Sequence, residues 1–164
     1  MIIEKIKESK FTPEVFNIKV FGTAFSDHML LCYFKDGKWG EPIIKPYGKL
    51  EFTPALSVAH YGQGIFEGMK AYKGSNEEVY LFRPEENLDR FNKSAVRMDM
   101  PPIPDDIFLD GIRTLVDLDR QWVPDTYGMS LYIRQVMFGV EEAISAHYSS
   151  EYLFAIVMEV APNY

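Results

Sequence analysis

Two polar side chains project from the same face of an otherwise apolar segment near the end of the chain. Residues 130–140 alternate with a period of two, which predicts a β-strand with Tyr132 and Arg134 on one face. Burying a guanidinium is costly unless it meets an anion or several hydrogen-bond acceptors. Arg134 is therefore expected either to pair with one of the chain's 24 carboxylates or to bind the carboxylate of a small molecule. The pattern alone favours neither alternative.

The segment from Ala59 to Tyr72 combines glycines with aromatic residues in the sequence AHYGQGIFEGMKAY. Glycine allows a backbone to approach a ligand closely or to adopt a positive φ. The spacing of Gly62, Gly64 and Gly68 matches neither a dinucleotide-binding fingerprint nor a phosphate-binding loop. From these residues alone, a tight strand-to-helix junction with aromatic packing is favoured over a ligand site.

Two further basic residues could carry chemistry, Lys70 as a Schiff-base lysine and Arg90 as an anion-binding arginine, but the pattern around each predicts exposure to solvent. Lys70 is the one lysine of the glycine-rich segment, and it does not lie in the apolar run that a Schiff-base lysine needs. Arg90 lies on the polar side of a predicted helix. On these grounds alone, both side chains are expected to be solvated.

The elements that would position these residues are short strands and two helices. Strands are predicted over 29–34, 38–45, 79–83, 130–140 and 152–160, and a turn at Asp36-Gly37 joins the first two as a hairpin. One helix begins at Pro84, and a second runs from about 104 to 122. The face of the first helix that is predicted to be buried consists of Leu88, Phe91, Ala95 and Met98. The sequence therefore predicts an α+β domain, in which two helices pack on an antiparallel or mixed sheet.

Composition and charge exclude several classes of protein. The chain has 164 residues and a net charge of −7, so general affinity for nucleic acid or an anionic membrane is not expected. The longest apolar run, 152–158, is too short to span a bilayer, and the N-terminus lacks the apolar region of a secretory signal. Cys32 is the only cysteine and permits no internal disulfide, and the three histidines are too scattered for a zinc site. A soluble, cytoplasmic protein is the resulting expectation.

Four blocks of sequence, taken together and in order, resemble the N-terminal half of branched-chain aminotransferases, which are pyridoxal-phosphate enzymes of fold type IV. The blocks are FGTAFSDHML (21–30), HYGQGIFEGMKAY (60–72), LFRPEENLDRF (81–91) and SLYIRQ (130–135). The resemblance extends from about Phe21 to Tyr164. It implies a small α+β domain that supplies part of a site closed by a larger second domain. It also implies an enzyme that transfers an amino group between leucine, isoleucine or valine and 2-oxoglutarate.

The resemblance assigns roles to two arginines. Arg90 matches the arginine that binds the phosphate of pyridoxal 5'-phosphate, and this role replaces the solvated position expected above. A guanidinium suits that role because it can hold two phosphate oxygens at once. Arg134 matches the arginine that helps to receive the distal carboxylate of glutamate.

The resemblance also assigns roles to four aromatic residues. Phe21, Tyr61 and Tyr132 match aromatic residues that line the pocket for the branched aliphatic side chain. Tyr164 matches an aromatic residue at the junction between the two domains. A pocket that accepts both leucine and glutamate needs apolar walls with one cation, which the face bearing Tyr132 and Arg134 offers.

In the family that this chain resembles, the lysine that carries the cofactor lies in the second domain, beyond residue 164. Lys70 does not match its position, so no catalytic residue is assigned in this chain. The first 20 residues mix charge with a few apolar residues and are interpreted as an extension or edge segment, and the resemblance implies a single α+β domain over 21–164. The expected partners are amino acid and 2-oxo acid substrates, the C-terminal domain of the same enzyme and a second copy in a homodimer. The chain alone is expected not to transaminate.

Two alternatives to branched-chain transamination stay open. Another enzyme of fold type IV, such as a D-amino acid aminotransferase or an aminodeoxychorismate lyase, would share the fold, although the EGMKAY and LFRPEENLDR blocks favour the branched-chain group. The second alternative is a freestanding, non-enzymatic module that binds a partner or a small anion.

Overall fold

An eight-stranded sheet forms the centre of the computed structural model, which describes residues 1–163. Its strands are β1 (Ile2–Ile3), β2 (His28–Lys35), β3 (Lys38–Trp39), β4 (Ile43–Pro46), β5 (Gly64–Lys73), β6 (Val79–Leu81), β7 (Ser130–Gly139) and β8 (Tyr152–Ala161). Across the sheet the order is β1-β4-β2-β8-β7-β5-β6, and β3 pairs with β2. The pairing of β1 with β4 is parallel, whereas the long central strands pair antiparallel. The predicted α+β class with a mixed sheet is confirmed.

The helix predicted to begin at Pro84 is α2 (Pro84–Arg97). Proline at the first position and two glutamates in the first turn suit a helix N-terminus. Leu88, Phe91 and Ala95 are buried as predicted. The prediction for Met98 is wrong, because the helix ends at Arg97 and the Met98 side chain is 40% exposed.

The second predicted helix is built from three kinds of helical turn. A π-helical turn (Asp106–Asp110) leads into α3 (Gly111–Leu118), and a 3-10 turn (Arg120–Trp122) follows. Gly111 lies where α3 approaches the sheet, and a Cβ there would be 2.7 Å from Leu30 Cδ1. The glycine therefore permits close contact between the helix and β2.

The hairpin after β2 is interrupted in its second arm. Asp36 and Gly37 both have positive φ, as the predicted tight turn requires. The predicted return strand over 38–45 is divided into β3 and β4, because the backbone leaves the ladder between Trp39 and Ile43.

The glycine-rich segment differs from its sequence-based prediction. It is a short helix, α1 (Ser57–Tyr61), followed by the ten-residue strand β5, rather than a strand followed by a helix. Gly62, with φ 68°, ends the helix in the left-handed conformation. Pairing with β7 from Gly64 to Ala71 stabilises the extended conformation that follows.

The sheet has two distinct faces. We call the face that packs on α2 and α3 the helix face; it contributes Leu131, Ile133 and Met137 of β7 to the main core. The opposite face, which we call the outer face, carries Tyr132, Arg134, Val136 and Phe138, all half-buried. This alternation confirms the faces predicted for β7, and β8 is buried on both faces except at Val157, as its apolar run predicts.

The first 20 residues lie against this sheet. β1 adds an edge strand beside β4, and Phe11, Val15, Phe16 and Ile18 pack on the main core. In the part of the chain that the structure describes, no helix has the length and apolar character needed to cross a bilayer.

Candidate functional site

The outer face brings together three of the side chains singled out in the sequence. The rings of Phe21 and Tyr132 meet edge-on, with centroids 5.1 Å apart. The guanidinium of Arg134 lies 4.3 Å from the ring centroid of Phe66 and 5.2 Å from that of Tyr132. Within residues 1–163, Arg134 forms no salt bridge with a carboxylate. The arrangement is an aromatic surface with one cation that can receive an anion.

A glycine on the neighbouring strand makes room for Tyr132. Gly68 of β5 lies opposite Arg134 of β7, and a Cβ at Gly68 would be 2.0 Å from the Tyr132 hydroxyl oxygen. Any larger residue would push the phenol ring away. Gly68 therefore allows the Tyr132 side chain to lie close to the backbone of β5.

A buried carboxylate lies beside this cluster. Glu159 of β8 is the cross-strand partner of Tyr132, and Phe25 bridges it from the other side. The residue is only 5% exposed, and one of its carboxylate oxygens has no hydrogen-bond partner among the described residues. Burial raises the pKa of Glu159, while the backbone N–H of Gly22 and the charge of Arg134 act in the opposite direction.

Arg90, the candidate phosphate ligand, projects from α2 and is held by a carboxylate of β5. Its Nε and Nη2 atoms donate to the two oxygens of Glu67. The Glu67 side chain is buried and also accepts a hydrogen bond from the Gly68 N–H. Burial opposes ionisation of Glu67, but the hydrogen bonds from Arg90 and Gly68 prevail and hold the pKa of this carboxyl below its usual value. Glu67 therefore acts as an anionic anchor for the arginine.

The chemistry around Arg90 fits a phosphate group. A guanidinium has five N–H donors, of which Glu67 engages two, so three stay free for an anion. A surface hollow of about 510 Å³ beside Arg90 is lined by Lys93, Ser94 and Arg97, and it reaches Gly64. These three cations and the Ser94 hydroxyl are groups that can pair with a phosphate dianion, although Lys93 already donates to Asp89 on the same helix.

The cluster around Arg134 and the residues around Arg90 lie on opposite faces of the sheet, and strand β5 separates them. Glu67 faces the helix side, opposite Gln135, whereas Phe66 and Gly68 face outward beside Arg134. β6 pairs with β5 at Ala71–Lys73, and the described chain adds no strand beside the preceding residues of β5. A ligand that reaches both Arg90 and Arg134 would therefore cross the open edge of β5.

Two other candidates, Tyr61 and Lys70, are not brought together with these groups. Tyr61 is on α1, 42% exposed, and its ring contact is with His60. Lys70 is exposed on β5 opposite Tyr132, as a solvated lysine would be. Tyr164 lies outside the described residues.

Three residues of the site have no role assigned from the sequence, namely Phe66, Glu67 and Glu159. The first two lie within the EGMKAY block or beside it, and Glu67 could have been found as a carboxylate at an inward position of an alternating strand. Glu159 interrupts the last apolar run, which is the signal that could have found it. Across residues 1–163, no group of three or more His, Cys, Asp or Glu side chains is arranged to hold a metal ion.

The sequence is similar to curated branched-chain aminotransferases. It is 41% identical over 145 residues to branched-chain-amino-acid transaminase 1 of Bacillus subtilis strain 168, a match covering 88% of this chain and 41% of the relative. It is also 41% identical over 162 residues to a probable branched-chain-amino-acid aminotransferase of Staphylococcus epidermidis, covering 98% of this chain and 45% of that protein. The chain thus spans less than half the length of the curated relatives it matches. No protein-family model matches it.

Solved structures show the same fold. The branched-chain aminotransferase of Thermoproteus uzoniensis with norvaline superposes with a TM-score of 0.56 at 22% identity, covering 82% of this chain and 41% of that one. The T.th. branched-chain aminotransferase complexed with N-(5'-phosphopyridoxyl)-L-glutamate gives a TM-score of 0.54 at 22% identity, covering 76% of this chain and 39% of that one. In sequence and in fold, this chain therefore matches the N-terminal portion of branched-chain aminotransferases.

Proposed function

We propose that this chain is the N-terminal domain of a pyridoxal-phosphate-dependent aminotransferase. The enzyme would transfer the amino group of leucine, isoleucine or valine to 2-oxoglutarate. The observation that carries this proposal is the position of the Arg134 guanidinium between the rings of Phe66 and Tyr132. Aromatic walls suit an aliphatic side chain, and one cation that forms no salt bridge within residues 1–163 suits a distal carboxylate.

On the outer face, Phe21 and Tyr132 would bind the branched side chain and exclude water from it. Their edge-on contact supplies a continuous apolar wall, and the Tyr132 hydroxyl over Gly68 adds one polar group at its rim. Arg134 would receive the distal carboxylate when glutamate or 2-oxoglutarate occupies the same space. Tyr61 and Tyr164 are proposed as further aromatic contributors to this pocket.

Arg90, oriented by Glu67, would hold the cofactor phosphate, with Lys93 and Arg97 adding positive charge around it. Pyridoxal phosphate supplies, when bound, the electron sink that amino-group transfer needs. A solved structure of the same fold is complexed with N-(5'-phosphopyridoxyl)-L-glutamate, which supports the choice of pyridoxal phosphate as the cofactor.

The remainder of the site would come from outside this chain. We propose that residues 21–164 form one domain preceded by an N-terminal extension, and that a C-terminal domain carries the lysine that binds the cofactor. A homodimer in the cytoplasm is the proposed setting. Relatives more than twice as long as the matched region support this organisation.

The test is made on the protein as it is produced in its own source. It is incubated with pyridoxal phosphate, reduced with borohydride and digested, and the modified peptide is identified by mass spectrometry. Transfer from leucine to 2-oxoglutarate is assayed on the unreduced sample. We expect one reduced adduct on a lysine beyond residue 164, together with leucine-dependent formation of glutamate. An unmodified 18.9 kDa chain without that activity would favour the non-enzymatic binding module.

A further inference from the structure

Glu159 is a buried carboxylate that the proposed function does not use. It lies on the outer face between Tyr132, its cross-strand partner, and Phe25. One oxygen is buried without a hydrogen-bond partner in residues 1–163. Burying an unpaired carboxylate oxygen is costly, so such a group beside a ligand site calls for a reason.

Arg134 is the cation nearest to Glu159 in the geometry of the sheet. Because Glu159 lies opposite Tyr132, Arg134 is its diagonal neighbour on β7, a separation that long side chains can span. The charge of Arg134 stabilises the ionised form of Glu159. The two nevertheless form no salt bridge, since the guanidinium lies over aromatic rings. Glu159 thus interacts electrostatically with Arg134 without forming a salt bridge with it.

We propose that Glu159 determines how strongly this site binds dicarboxylates, because it competes with the distal carboxylate of the ligand for the positive charge of Arg134. This inference rests on the proposed function. With an aliphatic ligand, ionised Glu159 balances the charge of Arg134. With a dicarboxylate, two carboxylates would share one cation, so Glu159 takes a proton from solvent onto its unpaired oxygen. Dicarboxylate binding is then coupled to uptake of a proton.

Burial favours this protonation, since it raises the pKa of Glu159. Four other charged or titratable groups lie on the same face. They are Tyr132 opposite Glu159, Lys70 opposite Tyr132, Tyr47 stacked on Phe25, and Lys45 opposite Met29. Of the charged groups on this face, Arg134 is the one whose charge acts on the Glu159 carboxyl. The coupling is therefore assigned to Glu159 and Arg134.

Calorimetry measures the coupling directly. The complete enzyme is titrated with glutarate in two buffers of different ionisation enthalpy at the same pH, and the difference in heat gives the protons taken up. 4-Methylpentanoate, which lacks a distal carboxylate, is the matched ligand. We expect proton uptake with glutarate and none with 4-methylpentanoate, and no uptake with either ligand in Glu159→Gln. Equal uptake for both ligands, or none with glutarate, would overturn the proposal.

Kinetics provide a second measurement. Glu159→Gln keeps the shape of the side chain and removes its charge, so the KM for glutamate at pH 8 should fall about fivefold relative to that for leucine. At pH 6, where the wild-type carboxyl is more protonated, the difference between variant and wild type should shrink. Glu151→Gln removes a half-exposed carboxylate just before the same strand, where it pairs with Lys35, and should leave the KM ratio unchanged. An unaltered ratio in Glu159→Gln at both pH values would reject the inference.

Failure of this inference is distinguishable from failure of the proposed function. If leucine and glutamate are turned over but glutarate binding takes up no proton, the role of Glu159 is wrong and the transamination stands. If neither amino acid is a substrate while glutarate still binds with proton uptake, the proposed reaction is wrong and the pairing of Glu159 with Arg134 stands.

Discussion

The carboxylate of Glu67 meets the guanidinium of Arg90 with both oxygens, although only 6% of the glutamate side chain is exposed and 69% of the arginine side chain is. A buried anchor thus holds an exposed cation. Strand β5 supplies the anchor and helix α2 supplies the cation, so the packing of α2 on the sheet determines where the cation lies. An arginine restrained in this way loses less conformational entropy when it binds an anion.

Glu67→Gln should weaken retention of pyridoxal phosphate by the complete enzyme. The amide offers one acceptor where the carboxylate offers two, so Arg90 is oriented less firmly. We expect a rise of roughly tenfold in the dissociation constant of the cofactor, by analogy with the loss of residues that orient metal ligands. Equilibrium dialysis followed by absorbance measures it. Glu86→Gln, which removes the exposed partner of Arg83 on the same helix, is the control. Equal affinity in wild type and Glu67→Gln would show that Glu67 does not position Arg90 for the phosphate.

Arg90→Ala should destabilise the fold, and more so at higher pH. In the wild type, Arg90 keeps the pKa of Glu67 low. The pair therefore stabilises the fold at pH values above the ordinary pKa of a glutamate, and this stabilisation is lost as the pH falls through the lowered pKa. Without Arg90, burial opposes the ionisation of Glu67, and only the hydrogen bonds from the Gly68 N–H and the Asn87 side chain still favour the ionised form. The loss in Tm should therefore be larger at pH 8 than at pH 5 by calorimetry. A loss that is independent of pH would contradict the assigned pairing.

Gly68→Ala should displace the ring of Tyr132. The added methyl group would meet the Tyr132 hydroxyl at 2.0 Å and its Cζ at 2.7 Å, so the side chain must move. Overpacking of a core costs about 1–3 kcal/mol, and the cost here should lie toward the lower end because the half-buried Tyr132 side chain can rotate away. The KM for leucine should rise in steady-state assays, because the aromatic wall is no longer in place. Gly64→Ala on the same strand meets Phe138 Cβ at a milder 3.3 Å and should change the KM less.

Local patterns in the sequence predict most of the strands and helices, but they do not predict where one element ends and the next begins. The alternation of β7 and the periodicity of α2 both depend on a buried face, and in both elements the structure buries the residues predicted to face inward, except Met98 after the end of α2. For the segment 59–72 the predicted order is wrong, because its glycines suggest a turn into a helix. Its conformation is determined by pairing with β7, which lies far along the chain. A pairing at that separation leaves no local signal.

In the candidate site too, the sequence predicts relationships within one element but not contacts between different elements. Tyr132 and Arg134 share a strand face, and alternation alone places them there. The contacts of Arg90 with Glu67 and of Tyr132 with Gly68 join residues of different elements. The resemblance to a known family supplies a role for Arg90 that its exposed helical position does not indicate. Neither route assigns a role to Glu159, because its environment depends on β7 and on the segment around Phe25 together.

Arg134→Ala should impair the use of glutamate while retaining the cofactor. Hydrogen bonds from a charged donor to a carboxylate contribute about 1.5–3 kcal/mol, so the KM for glutamate should rise about tenfold or more. The KM for leucine should change less, since Phe21 and Tyr132 still provide the apolar wall. Absorbance of the bound cofactor should persist, because Arg90 lies on the other face of the sheet. Unchanged glutamate kinetics would exclude a role for Arg134 in binding the distal carboxylate.

Asp27→Asn should loosen the first residues of the chain from the sheet. The buried Asp27 carboxylate accepts hydrogen bonds from Ser9 Oγ at 2.5 Å, the Lys10 N–H at 2.8 Å and Trp122 Nε1 at 3.0 Å. Burial opposes its ionisation, but these donors lower its pKa, so its stabilising effect is present at neutral pH and lost on acidification. The variant should lose about 2 kcal/mol of stability at pH 7 and less at low pH. Amides of residues 1–20 should exchange hydrogen faster, whereas Asp36→Asn in the exposed hairpin turn should not alter them. If exchange in Asp27→Asn stayed at the wild-type rate, β1 and the packing of Phe11 on the core would suffice to hold this segment.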